Sequence, residues 1–136
     1  MTPKEYLEFH KNFCERMVAI TTKKNADYTG NSEEANGDPF KNFRLIETLG
    51  VCSAEAGFIT RMSDKLARIS TFVKKGILLV SDESVEDTLL DLANYSALLA
   101  AYLKEKRTIK QTIAEAVVAN VDAFANGSVC GAGVER

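Results

Sequence analysis

The stretch that decides the fold is RMSDKLARISTFVKKGILLVSDESVEDTLLDLANY, residues Arg61 to Tyr95. It reads as two helices joined by a short turn at Gly76, with the charges sorted by sign. Its first half carries Arg61, Asp64, Lys65 and Arg68, then Lys74 and Lys75; its second half opens with Asp82, Glu83, Glu86, Asp87 and Asp91 and has no base among them. At a helical repeat, Arg61, Asp64, Lys65 and Arg68 fall within about one quadrant. Asp87, Asp91 and Asn94 share a face of the next helix. A basic row facing an acidic row across a helical hairpin suits a ligand made of phosphate and metal. It also suits an ordinary network of salt bridges.

Working outward, the apolar residues follow the same helical period. Phe58, Ile59, Met62, Leu66, Ile69, Phe72 and Val73 predict a core stripe on a helix from Ser53 to Lys74, closed by Gly76. The next helix is expected over Glu83 to Glu105, with Val85, Leu89, Leu92, Leu99 and Leu103 as its main stripe. Its other face sets Asp87, Asp91 and Asn94 between Leu90 and Leu98, beside Tyr95 and Tyr102, so that side is expected to face protein too. Carboxylates placed there need partners. A capping box from Thr108 to Gln111 predicts a fifth helix, with Ile109, Ile113, Val117, Val121 and Phe124 in one narrow stripe.

Upstream, Thr2, Pro3 and Glu5 spell a capping box for a first helix, with Tyr6, Phe9, Phe13, Met17 and Ile20 as its buried stripe. His10, the one histidine, lies in that apolar arc and reads as a packed residue. Residues 25 to 41, NADYTGNSEEANGDPFK, read as a long polar loop, of a kind that usually carries function. Lys24, Asp27, Tyr28, Phe40, Asn42, Phe43 and Arg44 flank its middle, and aromatic rings beside amides and charges suit a nucleobase. The plain alternative for Phe40 and Phe43 is that they anchor the loop to the core. A short helix over Asn42 to Leu49 follows.

The expected fold is therefore all-α: a single-domain helical bundle of four to five helices, with a long loop between the first two. The domain spans 1–126, and 127–136 is a flexible glycine-rich tail. The chain has 136 residues, 46% hydrophobic and 26% charged, as a globular protein has. Its 17 bases against 19 acids give a net charge of −2, which argues against general nucleic-acid or anionic-membrane binding. Three cysteines without CxxC spacing read as free thiols, Cys14 as a small buried hydrophobe, and a cytoplasmic location is expected. No apolar run approaches a membrane span.

Four motifs also suggest a family. KNADY at Lys24 to Tyr28, DPFKNFR at Asp38 to Arg44, RMSDKLARI at Arg61 to Ile69 and DESVEDTLLDLANY at Asp82 to Tyr95 resemble the nucleotide-modification-associated proteins of bacteriophages. The acids of the fourth motif are also similar to those of the all-α NTP pyrophosphatase superfamily, whose members hold Mg²⁺ on paired helices. The paired-glutamate motif EExxE of that superfamily is absent: the first helix offers Glu5, Glu8 and Glu15 alone.

The resemblance implies a phage nucleotide-binding protein acting in modified-nucleotide metabolism, and in its catalytic form a Mg²⁺-dependent phosphohydrolase. Glu83, Asp87 and Asp91 would hold the metal, with Asp87 and Asp91 catalytic. Arg61, Lys65 and Arg68 would take phosphate oxygens. Lys24, Asp27, Tyr28, Asn42 and Arg44 would recognise base or sugar, with Asp64 and Asn94 completing the substrate set. Two alternatives stand beside this reading: a non-catalytic sponge for a host signalling nucleotide, and a structural helical protein whose charges merely pair. A homo-oligomer is expected, because the apolar stripes exceed what a small bundle needs.

Overall fold

The computed structural model describes residues 1–29, 37–76 and 84–126, with the side chains of 1–24, 37–76 and 84–124. The architecture is all-α. Four helices run in order as α1 (Pro3–Thr29), α2 (Lys41–Thr48), α3 (Ala54–Lys75) and α4 (Val85–Asn126), and the described residues contain no strand.

Each start and stop has a local cause. At α1 the expected capping box forms: Glu5 Oε2 accepts from the Thr2 N–H at 2.6 Å, and Thr2 Oγ1 accepts from the Glu5 N–H at 3.3 Å. Those two bonds, the backbone one first, hold the Glu5 carboxyl below its usual range. Ser53 caps α3 by accepting from the Ala56 N–H at 3.2 Å. Gly76 ends it in the left-handed region, at φ 72°, and donates to the Phe72 carbonyl at 2.7 Å.

Two expected boundaries are corrected. Residues 25–29, read as loop, continue α1 to Thr29, so the connection to α2 is shorter than the composition suggests. The fourth and fifth helices are one helix of 42 residues. No Gly or Pro interrupts Val85 to Asn126, and the join at Lys104–Arg107 is built of strong helix formers. The Thr108 hydroxyl donates back to the Lys104 carbonyl at 3.2 Å, while Gln111 reaches forward to Glu115 at 3.2 Å. The sequence there matches a capping box, but its side chains serve a helix interior.

The chain divides into two compact units, Met1–Ala100 and Ala101–Arg136. The core of the first is centred on α2 and α3. Phe43 of α2 stacks on Phe58 of α3, with ring centroids 3.6 Å apart and planes 14° apart, and Tyr95 of α4 meets Phe43 edge-on at 6.4 Å. Gly57 permits this approach, since a Cβ there would sit 3.3 Å from the Phe43 ring. Ala54, Phe58 and Leu90 are fully buried, and Phe40 and Phe43 nearly so. Phe40 and Phe43 are core residues, so the plain reading of the two phenylalanines is the one the structure bears out.

The apolar stripes are only partly covered. On α1, Tyr6 and Phe9 are exposed where burial was expected, and His10 and Cys14 are exposed as well, 3.9 Å apart through Nδ1 and Sγ. Ile59, Leu66 and Val73 of α3 are exposed, and so are Leu89 and Leu103 of α4. On α4 the other face also turns inward, with Thr88 and Leu90 buried and Asp91, Asn94, Tyr95 and Leu98 half-buried, as are Val85, Leu92 and Leu99 of the expected stripe. The Thr88 hydroxyl, buried among it, is satisfied by the Ser84 carbonyl at 3.3 Å. No helix among the described residues is long and apolar enough to cross a membrane.

Candidate functional site

The polar centre of the first unit lies where α1, α3 and α4 present charged side chains to one another. Its middle is Asp91. Lys65 of α3 approaches one carboxylate oxygen at 2.8 Å (Oδ2), and Lys24 of α1 approaches the other at 2.9 Å (Oδ1). The Lys65 and Asp91 side chains keep only 17% and 21% of their exposure, so this pair is partly withdrawn from water. Burial pushes the Asp91 carboxyl up, but the bonds and charges of Lys65 and Lys24 outweigh it, and its pKa falls below the ordinary value.

One turn further along α4, Asn94 accepts from the Thr21 hydroxyl of α1 at 3.2 Å through Oδ1. Its amide nitrogen is buried and has no hydrogen-bond partner among the described residues. A buried donor left unmade costs about 1–3 kcal/mol. Arg68, one turn beyond Lys65 on α3, is half-buried on the same side of that helix.

Asp87 does something different from what its face suggests. Its Oδ2 accepts from the Ser84 N–H at 3.1 Å and from the Ser84 hydroxyl at 2.7 Å, while the Asp87 N–H donates to Ser84 Oγ at 3.1 Å. This is a reciprocal cap at the start of α4. The Ser84 bonds are the main reason its carboxyl lies below the usual range, with Arg16 of α1 adding at 3.3 Å from Oδ1. Arg16 also lies 3.7 Å from Glu86. The signal was in the sequence: Ser84-Val-Glu-Asp87 is itself a capping pattern, three residues from hydroxyl to acid.

The expected site residues thus separate into groups. Lys24, Lys65, Asp91 and Asn94 come together, with Arg68 alongside. Arg61 and Asp64 are exposed on α3. Asn42 is exposed on α2, and Arg44 is tied down locally: its guanidinium lies 3.0 Å from Asp38 and 5.3 Å over the Phe40 ring. Asp27 and Tyr28 fall on the last turn of α1, with side chains outside the described residues, and Glu83 is outside them altogether. Arg16 and Thr21, both on α1, belong to this polar centre and were not singled out from the sequence. Their partners sit 70 or more residues away, so no local spacing connects them.

For a metal, the donors present are a poor fit. Both Asp91 oxygens face ammonium groups, and both Asp87 oxygens are engaged by Ser84 and Arg16. Among the described residues no three His, Cys, Asp or Glu side chains are grouped to hold a cation. What the arrangement offers is hydrogen-bond donors and positive charge. No family model, curated protein or solved structure matches the chain, so the reading of this site rests on its own chemistry.

Proposed function

We propose that this protein binds the phosphate groups of a nucleotide where α1, α3 and α4 meet, with Lys24, Lys65, Arg68 and Asn94 as donors. The observation that carries the reading is the pair of lysines held on one carboxylate beside the buried Asn94 amide. Two ammonium groups converge on Asp91 next to the Asn94 amide, a setting of cationic donors suited to phosphate oxygens. Asp91 then acts as a positioning residue, holding both lysines in place before the ligand arrives. A phosphate oxygen at Asn94 would relieve its unmade bond.

The poor fit for a cation favours holding a nucleotide over hydrolysing it. Mg²⁺ at Asp91 would compete with a lysine on either oxygen, and at Asp87 with Arg16 on one oxygen and the Ser84 cap on the other. No hydrolytic step is therefore drawn through a metal. Of the roles open to a binder, sequestration of a signalling nucleotide needs nothing the site lacks. Assembly into a homo-oligomer belongs to the same reading, supported by the apolar side chains left exposed on α1 and α4.

The test is to incubate the protein with canonical, modified and cyclic nucleotides plus Mg²⁺, denature it, and analyse what is recovered. Intact ligand, one per site, is the expected outcome. Altered nucleotide in large excess over protein would make it an enzyme. If nothing in the panel binds, the lysines and Asp91 form a structural ion network and the proposal fails.

A further inference from the structure

α1 is held on the first unit differently from the other helices. α2, α3 and α4 each set a large side chain in the buried core, namely Phe43, Phe58 and Leu90. Among the described side chains of α1 none is buried: Phe13, Met17, Ile20 and Thr21 are half-buried, and Tyr6, Leu7, Phe9 and Val18 stay exposed. Apolar burial is what usually gives an element its resistance to local opening. α1 has little of it, so its polar contacts carry more of its attachment.

Those contacts differ in exposure. Arg16 reaches Asp87 at 3.3 Å and Glu86 at 3.7 Å, with side chains 49%, 49% and 64% exposed. About two turns on, Lys24 reaches Asp91 at 2.9 Å and is 49% exposed as well. Thr21, between them in sequence, donates to Asn94. The contact that α3 makes with the same carboxylate is more sheltered, since Lys65 is only 17% exposed. Mobile ions screen exposed charge pairs far more than sheltered ones. Asp91 is therefore gripped from two sides, by a salt-sensitive arm on α1 and a salt-resistant one on α3.

We propose that α1 is a strap that rising ionic strength releases, with Arg16 as its latch. Arg16 is a positioning residue: it bonds to the start of α4, and by fastening α1 there it sets Thr21 and Lys24 against Asn94 and Asp91. At low salt the latch is closed and the polar centre has donors from α1, α3 and α4. At high salt α1 lets go and takes Lys24 and Thr21 with it, while Lys65 keeps its bond to Asp91. A freed α1 does not stay ordered, because a helix without packing is marginal in water. Its amides then exchange with solvent. The latch follows from the geometry of the ion pairs; its consequence for phosphate binding rests on the function proposed above.

The experiment uses the full chain without ligand, so it reads the latch whatever the site binds. Hydrogen exchange is followed by mass spectrometry on peptides of α1 around Arg16 to Lys24 and of α3 around Phe58 to Arg68. The unmodified chain and Arg16→Gln are compared at about 0.1 M and about 1 M NaCl, between which the screening length falls from about 10 Å to about 3 Å. Arg16 is exposed, so glutamine there leaves the core packed. In the unmodified chain, salt should speed exchange in α1 about threefold to fivefold relative to α3, the scale of a lost exposed ion pair. Taking the ratio removes the effects of salt common to both helices. At the lower salt, Arg16→Gln should already show most of that acceleration in α1, and salt should add less to it. Equal acceleration of α1 and α3 by salt overturns the strap. An α1 that exchanges as slowly in Arg16→Gln as in the unmodified chain overturns the latch.

Discussion

Replacing Phe58 with alanine is expected to lower the unfolding free energy by about 3–5 kcal/mol, the usual cost of deleting a buried aromatic ring. Phe58 is fully buried, and its stack on Phe43 is what fastens α2 to α3. Truncating it removes the transfer energy of the ring and opens a cavity. It also removes an aromatic pair worth about 0.5–1.5 kcal/mol beyond area alone. The neighbouring Ile59 is the control. It is 57% exposed, and Ile59→Ala should change stability far less. Urea unfolding followed by circular dichroism measures both, provided the slope of the transition is unchanged. Equal losses for the two variants would mean that the core is not centred on Phe58.

Lys65→Ala is expected to weaken nucleotide binding by about 1–3 kcal/mol, on the order of tenfold or more in affinity. Its ammonium is the less exposed of the two on Asp91, so its bond to a phosphate would be made with less competition from water. Arg68→Ala should act in the same direction. Lys74, exposed in the last turn of α3, carries the same charge without the setting, so Lys74→Ala should do little. Calorimetric titration with one nucleotide compares all three. Comparable losses at Lys65 and Lys74 would indicate diffuse attraction instead of a site.

The sequence made some of this legible and concealed the rest for physical reasons. Helical period, the Thr2–Glu5 box, the Ser53 cap and the Gly76 stop are all local, and α1 and α3 begin and α3 ends where those signals place them. The Thr108–Gln111 pattern is local too, yet it misleads: a capping box needs a break in the preceding helix, and Lys104–Arg107 supplies none. On α4 the leucines bracketing Asp91 and Asn94 correctly mark a face that turns inward. Of the opposed charge rows of the hairpin, Lys65 and Asp91 meet as expected. Asp87 answers to Ser84 and Arg16 instead, because the start of a helix has unsatisfied N–H groups that a nearby acid serves first. Partners such as Arg16, Thr21 and Lys24 are set by how α1 lies on α4, which no spacing within either helix encodes.

The most direct test of the phosphate site is nuclear magnetic resonance of the lysine ammonium groups in labelled protein, titrated with a nucleotide recovered from the binding panel. Held on Asp91, the Lys24 and Lys65 ammonium groups should exchange slowly enough with water to be seen. On titration both signals should move together and saturate at one ligand per site, while those of Lys74 and Lys75 stay in place. A nucleotide that binds while the Lys24 and Lys65 signals remain unmoved would contradict the account.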